Sequence, residues 1–237
     1  MGVGGGFLSG GFETVVLEKK ITPRGEIQLQ RRGDHFEIIF NGVFLMASYN
    51  GRSEKEMAYL AFQEAERPVK RVLVGGLGIG CTLRAVLDYP EVEQVDLVEL
   101  EPSVLEWGRT YFAPLNGNAL GDRRVRATVG DLVEMVELVE MADKVEAGPY
   151  GLVAVDIDNG PDWVVIDSNR AIYSLVYLRK LRRLLGVGGV LAFWSASRAP
   201  GLYARLNKIF GRVMEKEVTG QLSDTRCGAN FVYLARK

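Results

Sequence analysis

Three carboxylates crowd one short stretch of this chain, where the apolar run Leu152-Val153-Ala154-Val155 breaks into Asp156-Ile157-Asp158-Asn159-Gly160-Pro161-Asp162-Trp163. Like charges that close cost stability unless a cation or hydrogen bonds compensate them. The pattern therefore points to a site for a cationic substrate, with Asp156 and Asp158 as candidate catalytic acids. The competing interpretation makes Asp158 and Asp162 solvated loop acids and Asn159-Gly160-Pro161 a plain turn.

A second stretch, Val72-Leu73-Val74-Gly75-Gly76-Leu77-Gly78-Ile79-Gly80, reads as a buried strand running into a glycine turn and then a helix. Glycines there let the backbone approach a ligand closely and adopt dihedral angles closed to other residues. A nicotinamide dinucleotide fits poorly, because its fingerprint needs a third Gly or Ala where Cys81 stands if Gly76 and Gly78 begin the motif. A tight turn with no ligand is the alternative. At the carboxyl end of Val95-Asp96-Leu97-Val98-Glu99, about 20 residues further on, an acid accepts hydrogen bonds from ribose hydroxyls. Glu99 is that acid, and the two signals together point to a nucleoside. Glu101 is a lesser candidate that also suits the cap of a helix with Pro102 in its first turn. Asp131, after Val129-Gly130, suits either an adenine amino group or a helix cap.

These groups need strand ends to hold them, and the sequence supplies them. Beyond Pro68, strand and helix patterns alternate: Arg71–Gly75 with Thr82–Asp88, Gln94–Glu99 with Pro102–Phe112, Val125–Val129 with Leu132–Met141, and Leu152–Asp156 with Arg170–Leu185. Such alternation predicts a mostly parallel sheet with helices on both faces. Gly186 suits the end of the last helix, and Gly189–Trp194 reads as a buried strand. A helix near Leu202–Phe210 and a hairpin, Val213–Val218 with Asn230–Ala235 linked through 220–228, close the sheet. Ahead of these, Ser53-Glu54-Lys55-Glu56 has the spacing of a capping box opening a helix that runs to about Glu66. Residues 12–50 show four short β-like runs with Asn41-Gly42 as a hairpin signal. The expected organisation is a glycine-rich mobile tail over 1–11, a small antiparallel β domain over 12–50 and the α/β domain over 51–237. Tyr173, Tyr177 and Trp194 read as core aromatics, His35 as a turn residue and Cys81 as a small buried filler.

Composition narrows the classes further. Of the 237 residues, 47% are hydrophobic and 25% charged, as in an ordinary globular domain, and the net charge of −1 gives no overall pull toward nucleic acid or anionic lipid. Two cysteines, Cys81 and Cys227, are too few for a disulfide framework and form no metal-ligand spacing. No apolar run approaches the ~20 residues that span a bilayer, and the first residues lack a signal-peptide layout. Gly2 offers no myristoylation motif, since Gly6 stands where Ser or Thr is required. A cytoplasmic location, no metal, no nucleic acid and no membrane are expected.

Taken together, Gly75 to Gly80, Val98-Glu99-Leu100-Glu101-Pro102, Gly130-Asp131 and Asp156 to Pro161 resemble the spermidine synthase family over most of the chain. The resemblance implies the Rossmann-like α/β fold of S-adenosylmethionine-dependent methyltransferases, a mostly parallel sheet with a closing antiparallel hairpin behind a small β domain, and a homodimer. It implies a co-substrate, decarboxylated S-adenosylmethionine or S-adenosylmethionine itself. Gly76, Gly78 and Gly80 would meet it, together with Gly75, Glu99 on the ribose, Asp131 on the adenine, and Glu101 and Asp156. Asp156 corresponds to the first acid of the family's Asp-x-x-Asp-Pro stretch, which helps deprotonate a small amine in aminopropyl transfer for polyamine biosynthesis. Asp158 would help hold that amine. Two positions depart from the pattern: Asn159 replaces the second acid, and Ser53–Tyr59 replaces an Asp-Glu-x-x-Tyr-His-Glu-like segment. The departures leave open aminopropyl transfer with an altered acceptor or a non-catalytic nucleoside-binding or dimerisation module, and the fold equally admits methyl transfer to a small molecule.

Overall fold

In a computed structural model of the protein the described residues are 13–141, 150–218 and 229–237. The expected tail, the 220–228 link and Cys227 lie outside them. The chain divides into two compact units, Met1–Tyr49 and Asn50–Lys237.

Within the first unit, β1 (Thr14–Thr22), β2 (Gly25–Arg32), β3 (His35–Phe40) and β4 (Val43–Ala47) form an antiparallel meander in sequence order. Ile27, Leu29, Ile38 and Phe40 are buried at alternate positions, giving the sheet one apolar face. Asn41 and Gly42 take φ of 48° and 76°, the left-handed pair that a two-residue hairpin turn requires. The Asn41 side chain accepts from the Glu26 amide at 2.8 Å, which fastens the turn to β2.

The second unit contains α1 (Arg52–Glu64), β5 (Arg71–Gly75), α2 (Cys81–Leu87), β6 (Gln94–Glu99), α3 (Pro102–Arg109), α4 (Ala113–Asn116), β7 (Val125–Val129), α5 (Leu132–Met141), β8 (Tyr150–Val155), α6 (Leu175–Leu184), β9 (Leu185–Ser195), α7 (Pro200–Asn207), β10 (Arg212–Val218) and β11 (Asn230–Arg236). Its seven strands lie in the order β10-β11-β9-β8-β5-β6-β7. β5 to β9 run parallel, and β11 pairs antiparallel with both β9 and β10. Val72, Leu73 and Val74 of β5 and Leu152, Val153 and Ala154 of β8 are fully buried, as continuous apolar runs covered on both faces must be. β5 is where the strand order reverses, since it pairs with β6 on one side and β8 on the other. Ligands of open α/β sheets enter at the carboxyl ends of strands flanking such a switch.

The opposite ends of the same strands are closed by polar pairing. Arg71 on β5 donates to Asp96 Oδ2 on β6 at 2.7 and 3.0 Å, and the Tyr150 hydroxyl on β8 donates to the same oxygen at 2.9 Å. Gln94 serves Asp96 Oδ1 at 2.7 Å, and the Arg71 guanidinium lies 5.0 Å from the centre of the Tyr150 ring.

Four expectations about elements are corrected. Ser53 caps nothing: α1 starts at Arg52 behind Gly51, with no side chain on its first amides. The Pro102–Phe112 helix stops early, α3 ending at Arg109 with Thr110 as its C-cap, and a separate short α4 begins at Ala113. The Arg170–Leu185 helix starts later, because a 3-10 turn over Asp167–Tyr173 precedes it and Ser174 caps α6 by accepting from the Tyr177 amide at 3.3 Å. Gly186 ends no helix, since the chain passes from Leu184 directly into β9; the left-handed glycine there is Gly188, at φ 78°. No helix among the described residues is long and apolar enough to cross a membrane.

Candidate active site

The glycine turn between β5 and α2 is built for close approach. Gly76, Gly78 and Gly80 have φ of 87°, 52° and 92°. A Cβ on Gly76 would fall on the carbonyl oxygen of Asp156, and one on Gly80 would come within 2.7 Å of Asn116 Nδ2. Gly75 is not left-handed, but a side chain there would run into Leu132. Asn116 braces the turn from below, donating to Ile79 O at 2.9 Å and accepting from the Ala119 amide at 3.1 Å.

Glu99, buried at the end of β6, accepts from the Leu77 amide through Oε2 and from the Glu101 amide through Oε1, both at 2.8 Å. One carboxylate thus ties the glycine turn to the loop after β6. Burial raises its pKa, against the opposing pull of the Glu101, Leu77 and Leu100 amides. Glu101 occupies the cap position of α3, yet its buried side chain does not cap the helix. Asp131 does cap: Oδ1 accepts from the Val133 amide at 2.8 Å, and Oδ2 faces the Ser168 hydroxyl at 3.4 Å. Burial, positive φ and a carboxylate at the strand end are what a ribose-bearing ligand requires, so these residues fit a nucleoside.

Asp156 emerges from β8 with its amide bonded to Gly75 O at 2.8 Å, and its Oδ2 accepts from the Thr82 hydroxyl at 2.7 Å. Its neighbour is another acid. Glu54, only 4% exposed in the first turn of α1, lies within reach of the Asp156 charge. Burial first, and then the charge of Asp156, push the Glu54 pKa up to about 8. Burial lifts Asp156 to about 6 against the opposing Thr82 hydrogen bond. The Thr82 hydroxyl also lies 3.4 Å from Glu54 O, linking the two elements. Ser53 donates to Glu54 Oε2 at 2.7 Å and itself accepts from Trp194 Nε1 at 2.9 Å and Asn230 Nδ2 at 3.2 Å. Three strands and two helices therefore converge on one carboxyl pair.

Asp158 is placed differently. It is buried, and it accepts from the amides of Asn159 at 2.9 Å, Val165 at 2.8 Å and Ile166 at 3.4 Å and from Asn169 Nδ2 at 2.9 Å. Four donors from its own loop occupy the two oxygens, so it folds the loop around itself. Gly160, at φ 109°, lets that loop press on β9, where a Cβ would meet Ser195 Oγ. Asp162 and Trp163 are exposed.

Sequence reasoning missed Glu54, Ser53, Thr82, Trp194 and Asn116 as site residues. For Glu54 a signal was present: it shares the helical spacing of the buried Met57, Ala58 and Ala61, and an acid on the apolar stripe of an amphipathic helix needs a reason to be there. Trp194 read as core, and its indole instead supports Ser53. Tyr173 is core as expected, packed against Phe193 at 5.6 Å. His35, expected in a turn, is instead the first residue of β3, paired with Arg32 of β2. Among the described residues no group of three or more His, Cys, Asp or Glu is placed to hold a metal ion.

The family model of the spermine/spermidine synthase domain matches residues 53–197, more than half of the chain. A polyamine aminopropyltransferase from Mycobacterium tuberculosis (strain CDC 1551 / Oshkosh) is 29% identical over 174 residues, 73% of this chain and 31% of that protein. Another from Saccharolobus islandicus (strain L.S.2.15 / Lassen #1) is 29% identical over 169 residues, 71% of this chain and 50% of that protein. The chain thus spans about a third to a half of the length of these curated relatives. A spermidine synthase solved in complex with the transition-state analogue AdoDATO has the same fold, with a TM-score of 0.78 at 18% identity over 94% of this chain and 74% of its own.

Proposed function

Because the chain belongs to the spermine/spermidine synthase domain family, we propose that it transfers an aminopropyl group from decarboxylated S-adenosylmethionine to a small amine, with Asp156 and Glu54 as the proton-handling pair. The observation that carries this reading is the carboxyl pair at the carboxyl end of β8, Glu54 buried and Asp156 half-buried, beside a glycine turn and a ribose-type acid. The role of holding the amine passes in this reading from Asp158, whose oxygens its own loop occupies, to Glu54.

The co-substrate supplies an electrophilic carbon beside a positively charged sulfur. What remains for the protein is to orient the amine and keep its nitrogen neutral. A substrate ammonium gives one proton to the Asp156–Glu54 pair. The freed nitrogen lone pair forms the new N–C bond, the electron pair of the breaking C–S bond passes to sulfur, and a neutral thioether nucleoside leaves. A base works best when its pKa lies near the working pH, and burial raises both carboxyls toward that range. Thr82 holds Asp156 and Ser53 holds Glu54, each by one oxygen, so both carboxyls are oriented before the substrate arrives.

Methyl transfer would need a donor that keeps its carboxylate, which two acids at the strand end disfavour. Calorimetric titration with decarboxylated S-adenosylmethionine and, separately, with S-adenosylmethionine decides the matter. Tighter binding of the decarboxylated form is expected. Preference for the carboxylated form overturns the reading in favour of methyl transfer, and binding without turnover on any amine overturns it in favour of a non-catalytic module.

A further inference from the structure

We infer that Trp194 and Asn230 are positioning residues that act on the proton transfer through Ser53: by filling the lone pairs of its hydroxyl they turn its one proton onto Glu54 Oε2 and leave Glu54 Oε1 to take the substrate's proton. This inference rests on the aminopropyl-transfer reading, in which Glu54 handles the proton together with Asp156.

The sheet sets the geometry. Trp194 on β9 stands opposite Val232 on β11, and Asn230 lies two residues before Val232 on the same strand. Side chains two apart on a strand share a face, so the indole and the amide leave the sheet on one side. α1 packs against both strands and presents Ser53 from its first turn. Trp194 Nε1 lies 2.9 Å and Asn230 Nδ2 3.2 Å from Ser53 Oγ, which in turn lies 2.7 Å from Glu54 Oε2. Ser53 is 2% exposed. These partners, rather than bulk water, decide how its hydroxyl turns.

A hydroxyl has one proton and two lone pairs, whereas an indole N–H and a carboxamide NH₂ can only donate. Two donors therefore fill the lone pairs of Ser53, and its proton goes to Glu54 Oε2. So placed, Ser53 cannot accept from a protonated Oε2, and neutral Glu54 carries its proton on Oε1. The hydrogen bonds that Ser53 receives also polarise its O–H, which strengthens its bond to the carboxylate. That bond opposes the rise in the Glu54 pKa that burial and then the Asp156 charge produce. In the transfer step the ammonium N–H bond breaks as an O–H bond forms at Oε1. The freed lone pair forms the N–C bond, and the C–S electron pair stays on sulfur.

Of the charged and titratable groups, Asp156 beyond β8, Lys55 on α1 and Cys81 on α2 act on Glu54, while β9 and β11 meet it through the uncharged Trp194 and Asn230. The first three are unchanged in the variants that follow, so a difference between variants reports on Ser53.

The test titrates Glu54 in the full chain labelled with ¹³C at the glutamate carboxyl carbon, its resonance assigned by its loss in Glu54→Gln. Trp194→Phe keeps an aromatic ring and removes the N–H, and Ser53→Ala removes the relay itself. Each is expected to raise the Glu54 midpoint by about one pH unit, the order of one hydrogen bond to a charged group. The double variant should rise no further than Ser53→Ala, because residues acting through one partner are not additive. Asn230→Leu should move the midpoint the same way by less, its bond being longer, and it decides the matter if Trp194→Phe does not fold. With saturating decarboxylated S-adenosylmethionine, the acid limb of kcat/KM for amine-dependent nucleoside release should follow the midpoint upward. A midpoint that stays in place in Trp194→Phe and Asn230→Leu, an additive rise in the double variant, or an acid limb that does not follow overturns the inference, with transfer by the unaltered chain left standing. Absence of product from the unaltered chain across a panel of primary amines and diamines overturns the transfer reading, and the positioning role with it.

Discussion

The two ends of the large sheet handle an aspartate in opposite ways. At the amino end Asp96 receives Arg71, Tyr150 and Gln94, so its charge is matched by a guanidinium and shared among neutral donors. At the carboxyl end Asp156 receives a single threonine hydroxyl, and its charge bears on another acid, Glu54, whose pKa it raises. The strands are the same, and β5 pairs with β6 and with β8 without a register shift. The difference lies in what the helices and loops present to each end. A carboxylate whose charge is already met contributes to the fold, and one left short of partners is free to take a proton or a cation from outside.

The contrast is broken most sharply by removing the charge at the active end. Asp156→Asn is expected to lower kcat/KM for amine-dependent nucleoside release by about 10²–10⁴-fold, the usual worth of a positioned acid–base group. Its melting temperature should stay level or rise, since it relieves repulsion with Glu54. An unchanged rate would remove Asp156 from the mechanism. The mirror experiment is Asp96→Asn, which strips Arg71 and Tyr150 of their shared acceptor. A stability loss of about 1–3 kcal/mol in urea unfolding is expected, with kcat unaltered; a large loss of kcat at full stability would mean that the two ends are not separate in role.

The smallest effect concerns pH. Glu54 and Asp156 bind protons more tightly in the folded chain than at their ordinary values of 4.5 and 3.8. Their stabilising protonation is complete below those values and is lost as the pH rises through about 6 for Asp156 and about 8 for Glu54. Two groups facing them are moved away from that window: burial pushes the Cys81 thiol up to about 12 and raises the Tyr173 phenol. Melting temperature should therefore decline between pH 5 and pH 8.5, and Glu54→Gln should flatten much of that slope. A slope identical in the variant would detach it from the pair.

The fold was legible because its signals are local. Continuous apolar runs marked β5 and β8, Asn41-Gly42 marked a hairpin, and glycines marked the turn after β5. Element ends were less legible, since Ser174, which divides the Arg170–Leu185 stretch, acts through a cap that depends on the backbone it sits on. The site was half legible. Asp156 and Glu99 announce themselves by following apolar strands, as Asp158 does, yet no local pattern tells an acid that faces a ligand from one that folds a loop around itself. Glu54 comes from 102 positions earlier in the chain than Asp156, and only the packing of α1 beside α2 and β9 joins them.

Glu99 has one more consequence. Because its two oxygens hold the Leu77 and Glu101 amides, one on each side of the nucleoside-type cradle, those two N–H groups form a spectroscopic gauge already wired into the chain. In a ¹⁵N-labelled sample their resonances should move together when a ribose takes its share of the carboxylate, and should stay in place when an amine alone is added. The order in which donor and acceptor enter can then be followed from within the protein, without a label on either.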